Sequence, residues 1–250
     1  IMRLLAWLPY RWLCAIGTGL GAMVRRLPVR FVDIARRNID MCLPELTAAQ
    51  RADLLARHFA SLGIAVCETA LAWYAPGEKL RPLARVTGAE HLQQALAQGR
   101  GVILLAAHFT TLEIGARFCA MQWPTNIVYR PSKNPVLGNF LARCRDRQAK
   151  RAIRRDDIRA MVSALRANEI VWFAPDQSYR KKGALMVPFF GIPAATNPAT
   201  SRLARMTGAA VLPFFVERLP DGAGYTVNIG AALQDFRARM QWPTLCACIG

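Results

Sequence analysis

An α/β fold is the expectation from this sequence: a mixed, mostly parallel sheet flanked by helices, with a helical N-terminal arm. Three observations support it. Short apolar runs at 102–107, 126–129, 170–174 and 209–217 have the length of buried strands. Helical stretches lie between them, as crossovers between parallel strands require. Polar residues recur where the runs end, at His108, Arg130 and Asp176. The 250 residues suffice for one large domain with a real core. Within it, 1–75 reads as a helical arm, 76–237 as an α/β core and 238–250 as an atypical tail.

The arm comes first. Residues 12–24, WLCAIGTGLGAMV, are bracketed by Arg11 and by Arg25 and Arg26. No segment reaches the ~20 uncharged apolar residues that span a bilayer. This stretch therefore suits a buried helix or one lying in the membrane interface. A second helix is expected over 31–41. Pro44 to Thr47 breaks it, and Thr47 with Gln50 forms a capping box for the next. That helix runs over 48–74. Its stripe of Leu54, Leu55, Phe59, Leu62, Val66, Ala70 and Trp73 reads as core-facing, with an aromatic end that fits core or lipid.

Pro76 and Gly77 end the arm. A short strand and turn at 85–88 and a helix at 90–98 lead to the central stretch, GVILLAAHFTTLEIG (101–115). Its apolar run is a strand, and Leu112 begins a helix. His108 and Glu113 are separated by an i, i+5 step, a rotation of roughly 140° on a regular helix. They meet only if His108 sits in the strand-to-helix turn. That turn lies at the strand's carboxyl end, where open α/β sheets bind ligands. A carboxylate there would fix the imidazole's tautomer and steady the charged ring. The same residues also fit a plain capping box, T-x-x-E, with His108 as an ordinary turn histidine.

The remaining elements follow in order. Strand 126–129 ends at Arg130, and a helix is expected at 136–144. The basic run 143–159 reads either as a solvated helical face and loop or as a site for lipid phosphate or an acidic carrier protein. A helix over 157–167 precedes strand 170–174, with Asp176 at its end. Strand 187–190 ends in Gly191. Pro198 starts a helix through Arg205. Strand 209–217 contains Pro213, which suggests an edge or a bulge. Pro220 to Gly222 turns the chain into a last strand at 225–229. His108, Arg130 and Asp176 on one rim would make a site.

Composition narrows the partners. Apolar residues make up 53% of the chain and the net charge is +17. Together these point to an anionic membrane surface or a phosphorylated amphiphile. No nucleic-acid-binding signature accompanies the charge, so nucleic acid is not an expected partner. Seven cysteines without a CxxC or a histidine cluster argue against a metal site or a disulfide framework.

HFTTLE (108–113) resembles the HX4D/E motif of the glycerolipid and lysophospholipid acyltransferase superfamily. YRPSKNP (129–135), APDQSY (174–179), VPFFGIPA (187–194) and RLARMTGAAVLPFF (202–215) resemble the late acyltransferases of lipid A biosynthesis, and the likeness extends over about 2–237. The resemblance implies transfer of a fatty acyl chain from acyl carrier protein to a hydroxyl of a lipid A precursor. It implies His108 as general base, Glu113 as its partner and no cofactor. Arg130 would serve an oxyanion or a lipid phosphate, and Asp176 would orient Arg130 or the acceptor. Phe189, Phe190 and Gly191 would pack beside the site and line the acyl tunnel, or be plain core aromatics. The implied location is the cytoplasmic face of a bacterial inner membrane. Family members begin with a longer hydrophobic helix and continue differently beyond 237, so an anchor is expected outside these residues and a truncated tail within them. An acyltransferase for another glycolipid or aminolipid, or a non-catalytic lipid-binding relative, are the competing readings.

Overall fold

The computed structural model describes residues 2–132, 134, 138, 143–145, 147–179 and 183–234. The tail at 238–250 and most of the helix expected at 136–144 lie outside them. Nine strands are described: β1 Ala84–Thr87, β2 Val102–Leu105, β3 Thr125–Tyr129, β4 Arg151–Arg154, β5 Ile170–Phe173, β6 Leu185–Phe189, β7 Ile192–Thr196, β8 Ala210–Arg218 and β9 Tyr225–Ile229. The helices are α1 Met2–Leu5, α2 Tyr10–Arg25, α3 Arg30–Cys42, α4 Ala48–Tyr74, α5 Gly77–Leu80, α6 Ala89–Ala97, α7 Leu112–Gln122, α8 Ile158–Arg166 and α9 Ala199–Thr207.

Seven strands form one sheet in the order β1-β9-β8-β2-β5-β3-β4. The block β8-β2-β5-β3-β4 is parallel, and β9 turns back antiparallel to β8. The apolar runs read as strands because alternate side chains enter two different cores. Val102 and Leu104 of β2, with Ile170 and Trp172 of β5, pack with α4, α6 and α7. Ile103, Val171 and Phe173 pack with α8 and α9 on the other face. Burial on both faces explains why these runs lack polar alternation.

Three strand expectations need correction. Strand β4 lies inside the basic run, at the sheet edge. Only Ile153 of its four residues is buried, so the charges masked it. Arginines on an exposed edge strand also discourage pairing with other chains. Strand β8 is interior, not an edge, despite Pro213. Its pairing with β2 ends at Leu105↔Pro213 and its pairing with β9 begins at Phe214↔Ile229. The proline sits where β8 changes neighbours, so its missing N–H interrupts little of the ladder. Among the described residues strand β6 pairs with no strand of the main sheet; it pairs with β7, which the sequence did not signal, in a separate hairpin.

The arm packs on the core through α4. Thr47 and Gln50 form the expected reciprocal cap, with Thr47 N–H to Gln50 Oε1 at 2.8 Å. The buried line of α4 is Leu55, Phe59, Gly63, Cys67 and Leu71, spaced by four. Val66, expected in the stripe, is exposed, because the small Gly63 and Cys67 occupy the face instead. By length and composition alone α4 is apolar enough to cross a membrane. It is nonetheless a helix with a core face, and that face holds a buried carboxylate, Glu68.

Helix α2 crosses α4 with backbones in contact. A Cβ on Gly17 would collide with the Ile64 backbone, one on Gly21 with the Phe59 carbonyl, and one on Gly63 with the Gly17 carbonyl. Gly19, on the same helix, has nothing within 4 Å. Gly21→Ala and Gly63→Ala should each cost about 1–3 kcal/mol through overpacking. Gly19→Ala should be neutral or gain up to about 1 kcal/mol from helix propensity. Urea denaturation of the three variants measures the contrast.

Candidate active site

Strands β2 and β5 are neighbours with parallel register, so the chain leaves both at the same rim. Beyond β2 the ladder continues for one bond, Ala106 N–H to the Phe173 carbonyl at 2.9 Å. The backbone then turns sharply, with Phe109 N–H to the Ala107 carbonyl at 2.8 Å, and α7 starts at Leu112. His108 therefore stands in the strand-to-helix turn, as expected. Asp176 follows β5 across Pro175.

The two residues meet through two hydrogen bonds. The backbone N–H of His108 donates to Asp176 Oδ2 at 2.8 Å, and the ring Nδ1 lies 2.6 Å from Asp176 Oδ1. Burial alone would raise the Asp176 carboxyl, but the hydrogen bonds from the His108 ring and backbone outweigh it and hold the carboxyl below its ordinary value. An ionised carboxylate only accepts, so Nδ1 carries a proton, and in the neutral ring it is Nε2 that holds the lone pair of a base. Both side chains are a little over one third exposed, so a substrate can reach them.

The acid at the His108 ring is thus Asp176, whereas the motif spacing suggested Glu113. Glu113 is held elsewhere: Arg145 Nη2 donates to its Oε1 at 2.5 Å and Trp73 Nε1 to its Oε2 at 3.2 Å. The physical reason is strand adjacency, which delivers Asp176 to the turn. The start of α7 meanwhile directs Glu113 towards α4. Nor is the T-x-x-E pattern a capping box here. Thr111 is the N-cap without a side-chain cap bond, and its hydroxyl donates to the Val216 carbonyl at 2.7 Å.

Arg130 is exposed at the carboxyl end of β3, one strand beyond β5 on the same rim. Asp176, expected to orient Arg130 or the acceptor, is engaged with His108. A small apolar niche of about 10 Å³, room for about one water, lies beside the His108 turn, lined by Phe109, Leu112, Trp172, Phe214, Phe215 and Val216 among others. The buried Trp172 Nε1 has no hydrogen-bond partner among the described residues. Phe189, Phe190 and Gly191 are not part of that lining. They form the exposed end of the β6–β7 hairpin, because β6 departs from the main sheet.

A family model described as bacterial lipid A biosynthesis acyltransferase matches residues 1–239. This chain belongs to that family. The lipid A biosynthesis lauroyltransferase of Escherichia coli (strain K12) is 38% identical over 226 residues, covering 90% of this chain and 74% of that enzyme. The palmitoleoyltransferase of the same strain is 39% identical over 230 residues, 92% of this chain and 75% of its own length. A lipid A biosynthesis acyltransferase of Haemophilus influenzae is 37% identical over 235 residues, with the same two coverages.

In this acyltransferase a second polar group sits where sequence reading placed only core. Arg218, at the carboxyl end of β8, makes two 2.7 Å bonds to the buried Glu68 of α4. Tyr225 Oη donates to Glu68 at 2.6 Å and Tyr10 Oη at 3.3 Å. Burial opposes the Arg218 charge, yet the Glu68 hydrogen bonds prevail and raise its pKa. Burial, then the Glu68 charge, pushes both tyrosines up. From Arg218 a chain of bonds reaches the turn: Arg218 Nη1 to Ser61 Oγ at 2.8 Å, and Ser61 Oγ to Thr110 Oγ1 at 2.7 Å. The available signal was one carboxylate inside an otherwise apolar helical stretch, which calls for a buried partner. Glu68→Ala should cost the acyltransferase about 3–5 kcal/mol by leaving Arg218 buried and unpaired. Chemical denaturation reads the loss.

Proposed function

We propose that this acyltransferase moves a fatty acyl chain from acyl carrier protein to a hydroxyl of a lipid A precursor, with His108 as general base. The His108–Asp176 pair on the rim, with apolar side chains around its turn, is the observation that supports this reading. Nε2 of His108 takes the hydroxyl proton as the acceptor oxygen attacks the thioester carbon. The new C–O bond forms, the tetrahedral oxyanion collapses, and the C–S bond breaks. The imidazolium returns the proton to the departing sulfur. Asp176 orients the ring and balances its charge while the proton resides there.

Glu113 is the acid that the HX4E pattern supplies. Its role in this proposal is to hold Arg145, whose guanidinium also lies 5.8 Å from the Tyr129 ring centre, as a cation at the rim. Arg130 takes a phosphate of the lipid or the developing oxyanion. The arm meets an anionic bilayer at the inner membrane's cytoplasmic face. Trp12, Ile16 and Met23 of α2 and Phe31 and Ile34 of α3 are exposed, with Arg11, Arg25 and Arg26 at the ends of α2. The remaining exposed cations suit the acidic carrier protein.

The test is a transfer assay with purified protein, acyl carrier proteins of several chain lengths and a lipid A precursor. His108→Ala should lower kcat by about 10²–10⁴-fold. Equal product from wild type and variant would remove His108 from the mechanism. Product only with a different lipid acceptor would transfer the reading to another acyltransferase.

Asp176 also yields a pH prediction. Its folded pKa is depressed below 3.8. Its stabilisation is therefore complete above that value and lost as pH falls through the lower folded value. The difference between the thermal melts of wild type and Asp176→Asn should shrink as the buffer is taken from about pH 5 down through the carboxyl's lowered folded value.

A further inference from the structure

The β6–β7 hairpin is built against local preference. Its last pair is Phe189↔Ile192, which leaves Phe190 and Gly191 as a two-residue loop. Both have positive φ, 49° and 74°. That is the geometry of a type I′ turn, whose first position favours Asn, Asp or Gly. A phenylalanine there is strained. No core compensates for it: Phe189 and Phe190 are each 55% exposed and Met186 is 65% exposed. The two rings pack edge to face on one another, with centroids 4.8 Å apart.

The hairpin is anchored near the active site. Tyr179, three residues after Asp176, donates its N–H to the Ala195 carbonyl of β7 at 3.0 Å. At the other end of β6, Gly183 lies against the guanidinium of exposed Arg202 on α9. An apolar tip with a cation at its base matches the layering of a lipid monolayer, hydrocarbon inside and phosphate outside. A second copy of this chain is a poor occupant, because a net charge of +17 opposes self-association. An acidic protein would be recognised by cations, not by two phenyl rings.

We propose that Phe189 and Phe190 insert into the hydrocarbon of an anionic bilayer and so bring the His108 rim to the lipid surface. This deepens the reading of a lipid-acylating enzyme, but its test needs no turnover. Phe190→Asn places Asn-Gly in the turn, which removes the strain and the apolar tip together. The probe is sedimentation with vesicles of phosphatidylethanolamine and phosphatidylglycerol. Phe190→Asn should bind them at least about tenfold more weakly than wild type, the scale of one lost aromatic burial, while its Tm is unchanged or higher. Phe189→Ser should show the same weakening. Vesicle binding equal to wild type would overturn the proposal. So would a lowered Tm in Phe190→Asn, since it would mean that the ring packs on protein. A wild-type dimer that becomes monomeric in the variant would make the tip a contact between copies. A wild type that transfers no acyl chain, with vesicle binding weakened in the variants, would fault the catalytic reading and uphold the insertion.

Discussion

Parallel pairing of β2 with β5 is the constraint on which the site depends. Register Leu105↔Phe173 makes the two strands end together. Three residues past each end, the chain presents His108 and Asp176, and the bond between them closes within 2.6 Å. Each residue comes from a different connection, 68 positions apart in sequence. A rigid, doubly covered sheet is what lets two short turns hold so tight a geometry. The backbone N–H of His108 also binds Asp176, so turn and ring are fixed by the same carboxylate.

The arm is coupled to that sheet by charge rather than by apolar contact alone. Glu68 would be costly as an isolated buried carboxylate. Its bidentate bonds to Arg218, with two tyrosine hydroxyls, satisfy it. Because Arg218 also reaches Ser61, and Ser61 reaches Thr110, α4 braces the turn that carries His108. The Gly17–Gly63 approach then brings α2 onto α4 at backbone contact distance. Core, arm and turn are therefore one mechanical unit.

The surface divides by chemistry. Apolar side chains are exposed on α2 and α3 and at the hairpin tip, and cations lie close to both. The proposed membrane contacts rest on this distribution.

Local information was enough for much of this. The run 102–107 had the length of a strand, and Thr47 with Gln50 had the chemistry of a helix start. The end of that run and the helix start at Leu112 put His108 in a turn, although the i, i+5 pairing with Glu113 that the motif suggested does not form. The HX4E pattern and its companion blocks pointed to the family that the comparisons show. The sequence by itself therefore determined the fold class, most of the elements and the place of His108 at a strand end. Only the tertiary structure decided the histidine's partner, because strand order is non-local and nothing near Asp176 encodes that β5 lies beside β2. The same reason hid Glu68 and Arg218, 150 residues apart. Strand β4 escaped because one buried isoleucine carries too little periodicity. The fate of Phe189 and Phe190 was decided by whether β6 joins the main sheet, and a hydrophobic pair reads alike in a core and at an exposed tip.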